Sequence, residues 1–222
     1  MTVTTEDADG AAPDGLYDWW SRHPRALDAV YAMAFLGREG RFRQRSLDSL
    51  DLEPGERVLE VGCGRGNSFA ALREGVGEEG RVLGVDVSEG MVTAANRRVE
   101  AAGWANVAAV RGDARRLPVG EGSFDAAYAS MSTSAVPDPG RAVEAVHGAL
   151  RPGGRFVVLD AQPFQDWPWR ALNPVVTPLA ERATNWVPDV DIPGALRDEF
   201  GSVDLATFDG GSIYVACARK SV

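Results

Sequence analysis

Lysine is almost missing from this chain. Of its 23 basic residues only Lys220 is a lysine, and arginine supplies the rest. Acidic residues outnumber basic ones, and the formal net charge is −9. A phosphate backbone is held by basic surface and by counterion release, so nucleic acid is disfavoured as a substrate. The acidic, lysine-poor balance suggests a salt-adapted or GC-rich source. There are only two cysteines, Cys63 and Cys217. Neither has a Cys or His at ligand spacing, so no zinc site is suggested, and both read as reduced core thiols. No apolar run approaches the ~20 residues of a membrane span. Met1 to Gly15 is acidic and rich in small residues. It lacks the apolar stretch of a secretory signal and reads as a disordered leader. A cytoplasmic location is expected.

What is present is concentrated in one segment. Val58-Leu59-Glu60-Val61-Gly62-Cys63-Gly64-Arg65-Gly66-Asn67-Ser68 is an apolar run ending in Gly-x-Gly-x-Gly. Glycines there let backbone approach a ligand that a Cβ would strike. The helix that follows aims its free N–H groups at the same place. A second apolar run ends in Asp86, 20 positions after Gly66. A carboxylate at the end of a second strand is placed to accept from ribose hydroxyls. Turn and acid together indicate a nucleoside-bearing ligand. In the dinucleotide fingerprint, Gly-x-Gly-x-x-Gly, the third glycine comes one position later than it does here.

Along the rest of the chain, strands and helices alternate. Strands are expected near 57–61, 82–86, 107–111, 125–129 and 155–160. Helices are expected near 65–76, 88–102 and 140–150, with Ser88 as an N-cap. Arg151-Pro152-Gly153-Gly154 should stop the last of these. This order implies a largely parallel sheet covered on both faces. Before it, 16–50 reads as a helical cap carrying Tyr17, Trp19, Trp20, Tyr31 and Phe35, expected to lie over the ligand site. After it, 161–190 reads as a Pro-rich, aromatic insertion holding Trp167, Trp169 and Trp186, with a helix near 175–185. A helix at 192–200 and strands at 203–208 and 212–218, joined by Asp209-Gly210-Gly211, complete the chain. The division is a leader, 1–15, and a single domain, 16–222.

Four segments in order carry a family resemblance. They are Val58–Ser68, Gly84–Met91, Arg111–Pro118 with Gly122–Asp125, and Leu150–Phe156. The chain resembles class I S-adenosylmethionine-dependent methyltransferases over about Leu50–Asp160. The resemblance implies an α/β, Rossmann-like sheet of seven strands, mostly parallel, with helices on both faces and the last strand antiparallel. It implies S-adenosylmethionine as cofactor. Glu60, Gly62, Cys63, Gly64 and Gly66 would line its methionine part. Asp86 and Val87 would take the ribose, and Met91 would pack on adenine. Gly112, Asp113 and Ala114 would border the adenine amine. Ser130 and Met131 would border the methionyl group and the entering substrate.

On the acceptor side the readings are Tyr17, Trp20, Tyr31, Ser132, Trp167 and Trp169, as walls of an apolar pocket. No catalytic residue stands out. The loop after strand four, Ser132–Pro137, has hydroxyls where many lipid- and quinone-modifying relatives carry a histidine or asparagine. Gly148 replaces an arginine common in the family's helix before strand five. A sulfonium is already an activated methyl donor, so alignment in a dry pocket can suffice. The acceptor is expected to be small or lipophilic, such as a quinone precursor or phospholipid head group. No metal is expected, Asp125 reads as structural, and His147 reads as a surface residue. Two competing readings are a nicotinamide-dependent oxidoreductase and a non-catalytic cofactor-binding protein.

Overall fold

The computed structural model describes residues 37–222 except 185 and 189. The leader, most of the cap, and with them Tyr17, Trp20 and Tyr31 lie outside the described residues. The described chain opens with α1 (Glu39–Asp48) and then alternates. β1 (Arg57–Val61) leads through the glycine turn to α2 (Phe69–Val76). β2 (Arg81–Asp86), α3 (Glu89–Ala102) and β3 (Val107–Arg111) follow. Next come β4 (Phe124–Ser130), a short turn of 3₁₀ helix at Thr133–Ala135, α4 (Pro139–Ala149) and β5 (Leu150–Ala161). The last third holds a second 3₁₀ turn at Trp169–Leu172, α5 (Asn173–Thr184), α6 (Ile192–Phe200), β6 (Val203–Phe208) and β7 (Ile213–Arg219).

The sheet has seven strands in the order β3-β2-β1-β4-β5-β7-β6. β1 to β5 pair in parallel, and β7 runs antiparallel to both β5 and β6. Central parallel strands are covered on both faces, so they read as nearly continuous apolar runs. β1 shows this: Arg57 at its start is exposed and the next four residues are buried. Alternate strand residues feed two cores. Val58, Tyr128, Val157 and Leu159 pack with Phe42 of α1, Phe69 and Leu72 of α2 and Val99 of α3. Leu59, Ala127, Phe156 and Val158 pack with Val146 of α4 and Leu196 and Phe200 of α6. Emptying one such buried Leu to Ala costs about 2–5 kcal/mol.

Local chemistry sets the helix ends. Ser88 Oγ accepts from Met91 N at 3.3 Å, and Gly103 closes α3 with φ 67°. Asp138 accepts from Arg141 N at 3.1 Å with Pro139 in the first turn of α4. Asp191 accepts from Gly194 N at 2.8 Å at the start of α6. Each side-chain oxygen satisfies a donor that the helix leaves unpaired. The single lysine has a comparable task. Lys220 Nζ donates to His147 O at 2.7 Å and Leu150 O at 2.8 Å, closing the C-terminal end of α4.

Three expectations shift. The helix after the glycine turn begins at Phe69 and not at 65, because 62–68 are spent turning; Gly66 N bonds Cys63 O at 2.9 Å. β5 begins at Leu150 instead of 155. Its glycines pair with the chain end, Gly153 N to Lys220 O at 3.0 Å and Lys220 N to Gly154 O at 2.8 Å. His147 is half-buried. Its ring meets Phe200 edge-on at 4.8 Å and its Nδ1 lies 2.9 Å from Glu199. Burial, and then the Lys220 charge, hold its pKa below the usual imidazole value.

β5 lies beside β4 while β2 lies beside β1, so the winding reverses between β1 and β4. In open α/β sheets the crevice outside the carboxyl ends of the strands at such a reversal is where ligands bind. Glu60 and Val61 end β1 at this crevice, and Ser130 ends β4.

Candidate functional site

A cavity of about 410 Å³ opens at this reversal. Glu60, Gly62, Cys63 and Gly64 line it from β1 and the turn. Asp86, Val87 and Met91 line it from β2 and α3, and Gly112, Asp113 and Ala114 from the loop after β3. Ser130, Met131 and Ser132 close it from β4. Thirteen positions singled out in the sequence therefore meet in one space. Three do not. Gly66 is not on the wall, and Trp167 and Trp169 stand 81% and 52% exposed.

The glycines of the turn all have positive φ: 65° at Gly62, 51° at Gly64 and 69° at Gly66. Their reasons differ. A Cβ on Gly62 would sit 2.4 Å from Ser132 Cβ, and one on Gly66 would sit 2.5 Å from the Phe69 ring. These two are small so that the protein can pack against itself. At Gly64 nothing lies within 4 Å of the Cβ position. Only this glycine presents bare backbone to open space, which corrects the expectation that all three do so.

Asp86 is bound to that backbone. Its Oδ2 accepts from Gly64 N at 2.8 Å and its Oδ1 from Ser88 N at 2.9 Å. Burial raises its pKa, against the pull of these two bonds. Each oxygen retains acceptor capacity toward a hydroxyl in the cavity. Glu60 is 2% exposed, and burial pushes it up to about 8. Ser68 and the Arg43 charge pull it part of the way back. Glu60 Oε2 has no hydrogen-bond partner among the described residues. A buried carboxylate oxygen without a donor is a costly arrangement and suits a cationic ligand group.

Asp113 is placed differently. Arg115 grips both oxygens, with Nε at 3.1 Å and Nη2 at 2.8 Å, and that contact holds the carboxyl below its usual range. A ligand amine would share this carboxylate with the guanidinium. The Cys63 thiol is pushed far up by burial, so it is an inert lining group; both cysteines are free.

Two further wall residues were not among the candidate site residues, although Trp186 belongs to the aromatic 161–190 segment. Arg43 projects from α1, where its Nη1 donates to Ser68 Oγ at 3.0 Å and its Nη2 pairs with Glu39. It is the described part of the cap that reaches the cavity. Trp186 lines the far half with Phe164 and Val176, and its Nε1 donates to Ala161 O at 3.2 Å. Among three tryptophans of one segment, only tertiary contact separates this one from Trp167 and Trp169. Among the described residues no cluster of three or more His, Cys, Asp or Glu could hold a metal, and no helix is long and apolar enough to cross a membrane.

The fold is that of S-adenosylmethionine-dependent methyltransferase structures. The cavity presents bare backbone at Gly64, an acid at Asp86 and an unpaired buried carboxylate oxygen at Glu60. Residues 58–154 match the family model described as a methyltransferase domain. Among curated proteins the chain is similar to an uncharacterized 37.1 kDa protein in a transposon of Streptomyces fradiae, 40% identical over 53% of this chain and 33% of that one. It is also similar to the demethylmenaquinone methyltransferase of Shouchella clausii, 32% identical over 61% of this chain and 58% of that one. The chain thus spans a third to about three fifths of the length of these relatives. Among solved structures, a chain of the complex between the Haloferax volcanii Trm112 methyltransferase activator and the putative methyltransferase superposes with a TM-score of 0.72. It is 17% identical and covers 95% of this chain and 98% of that one. Geranyl diphosphate C-methyltransferase from Streptomyces coelicolor superposes with a TM-score of 0.67 at 19% identity, over 82% of this chain and 76% of that one. These likenesses show the fold. A nicotinamide-dependent oxidoreductase is set aside by the family match and by the glycine spacing.

Proposed function

We propose that this chain transfers a methyl group from S-adenosylmethionine to a small or lipophilic acceptor, with a quinone precursor as the foremost case. The carrying observation is the continuity of the cavity. One space runs from Gly64 and Asp86 to the apolar wall of Phe164, Val176 and Trp186. The names of the demethylmenaquinone methyltransferase relatives support the acceptor class. A phospholipid head group is the second member of that class.

In this reading Asp86 accepts from the ribose hydroxyls and Met91 packs on adenine. Glu60 faces the positive end of the cofactor beside Gly62 and Gly64. When bound, the cofactor supplies a methyl group on a sulfonium, which leaves as a neutral thioether. The protein's contribution is alignment, with reacting atoms about 3–3.5 Å apart, and exclusion of water. Ser130 and Met131 border the passage between the two halves. Cys63 and Cys217, both free thiols, suit the reducing cytoplasm in which the proposal places the chain.

Calorimetry with S-adenosylmethionine, followed by labelled-methyl transfer to naphthohydroquinone and to phosphatidylethanolamine vesicles, tests the reading. Cofactor binding with transfer to the hydroquinone is expected. Binding of a nicotinamide dinucleotide in its place would overturn it.

A further inference from the structure

Among the described residues, every acidic or basic side chain on the cavity wall stands in its cofactor half: Arg43, Glu60, Arg65, Asp86, Asp113 and Arg115. The acceptor half is walled by apolar and neutral polar groups. One carboxylate nevertheless stands directly behind that wall. Asp160, next to the end of β5, is fully buried. Its Oδ1 accepts from Ser134 Oγ at 2.7 Å and from Ala161 N at 2.9 Å, and its Oδ2 accepts from Ser134 N at 2.9 Å. Ser134 in turn is on the cavity wall, two residues beyond Ser132, whose side chain rests against Gly62. The hydroxyl that Asp160 orients is therefore in the loop that abuts the methyl-donor turn.

A serine hydroxyl has one hydrogen and two lone pairs. Here the hydrogen is committed to Asp160, so the lone pairs are what the cavity meets. The geometry points to Ser134 as the residue that receives a hydroxyl of the acceptor, with Asp160 as the positioning residue that takes up the proton through it. The inference rests on the proposed methyl transfer and narrows its acceptor to a molecule bearing a phenol- or hydroquinone-type hydroxyl. The acceptor O–H bond breaks as a new O–H bond forms at Ser134. The original Ser134 proton passes to Asp160 Oδ1. The electron pair left on the acceptor oxygen, or on the ring carbon conjugated with it, forms the bond to the methyl carbon. The carbon–sulfur pair departs with sulfur.

The surroundings of Asp160 allow this. On β7 its register partner is Tyr214, a buried phenol whose hydroxyl has no hydrogen-bond partner among the described residues. Beyond Tyr214, Asp191 caps α6. Burial, then Asp160 and Asp191, keep Tyr214 a neutral phenol. Ser134 and the backbone N–H groups of Thr133 and Ala161 are the partners of Asp160, and no cation acts on it among the described residues. Burial raises its pKa against these bonds, which makes it a better proton acceptor than a solvated aspartate.

Naphthohydroquinone, its dimethyl ether and full-length protein loaded with S-adenosylmethionine test the inference. Wild type is expected to methylate the hydroquinone and not the ether. Asp160→Asn and Ser134→Ala should each lower kcat about 100-fold, the usual scale of lost proton transfer. Cofactor affinity should hold. Ser134→Ala leaves Asp160 its backbone partners, so it guards against a misfolded Asp160→Asn. The rise of kcat with pH expected of wild type should vanish in Asp160→Asn, and Ser134→Thr should restore part of the rate. A readout without turnover is binding. Wild type should prefer naphthol to methoxynaphthalene about fivefold, one net hydrogen bond, and Ser134→Ala should lose the preference. Transfer to the ether, an unchanged pH limb in Asp160→Asn, or equal binding of the two naphthalenes overturns the relay and leaves the proposed function standing. Transfer to phosphatidylethanolamine vesicles alone overturns the relay, and cofactor binding with no transfer to the hydroquinone, the ether or those vesicles overturns the proposed function and the relay with it.

Discussion

Ser132 Oγ donates to Val61 O at 2.8 Å, which clamps the loop after β4 onto the end of β1. The same serine fills the space where a Gly62 side chain would be. Gly62→Ala should cost about 2–4 kcal/mol, combining the left-handed backbone penalty with overpacking. Thermal unfolding would read this as a fall of several degrees. Gly64→Ala bears only the backbone penalty, since its Cβ points into open space. It should unfold at a higher temperature than Gly62→Ala while losing more affinity for S-adenosylhomocysteine. Calorimetry beside melting curves separates the two.

Asp86 holds Gly64 N and Ser88 N with separate oxygens. Hydrogen bonds to a charged group contribute about 1.5–3 kcal/mol each. Asp86→Ala should weaken S-adenosylmethionine and S-adenosylhomocysteine binding by roughly 100-fold or more, on the scale of one or two such bonds. An unchanged dissociation constant would remove the acid from the site.

Glu60 titrates near 8 in the folded chain, against an ordinary 4.5. The folded state thus holds a proton that the unfolded state releases between these values. The associated stability is complete below about pH 4.5 and is lost as pH rises through about 8. Unfolding free energies across this window should slope downward for wild type and less steeply for Glu60→Gln. A cation arriving beside Glu60 favours its ionised form. Cofactor binding near pH 7 should therefore release a proton. Calorimetry in buffers of different ionisation enthalpy would detect it, and Glu60→Gln should abolish it.

Arg155 ties β5 to the segment before β1. It donates to Glu56 at 2.8 and 2.6 Å, to Asp51 O at 2.7 Å and to Leu50 O, while only 5% exposed. Removing one partner of such a buried group strands the others. Arg155→Met should destabilise the chain by about 3–5 kcal/mol. Denaturant unfolding checks this, and a loss under ~1 kcal/mol would place the pair among ordinary surface bridges.

Trp186 and Trp169 offer a paired comparison. Trp186 is on the cavity wall, whereas Trp169 lies half-exposed against Gly210 and Phe164. Trp186→Ala should lower kcat/KM for the acceptor about tenfold, the scale of one lost apolar contact of 1–3 kcal/mol, with cofactor affinity kept. Trp169→Ala should leave both within error in the same labelled-methyl assay.

Much of this protein was legible along the chain because the signals are local. The glycine spacing, the acid closing the second strand and the cap Ser88 depend on backbone conformation within a few residues. Alternation of apolar runs with helical spacing set the element order, and α6 and β6 lie at the expected 192–200 and 203–208. Other features were decided only by tertiary structure. That Gly62 packs on protein while Gly64 faces open space depends on Ser132, 70 positions from Gly62. Arg43 reaches the cavity only because α1 packs beside β4 and β5, where Ser46 Oγ meets Tyr128 OH at 2.7 Å. Asp160 acquires Ser134 across 26 positions, and Trp186 acquires Ala161 across 25. Periodicity and turn chemistry act through neighbouring residues, whereas a partner far along the chain is chosen by sheet register and packing, which no local pattern encodes.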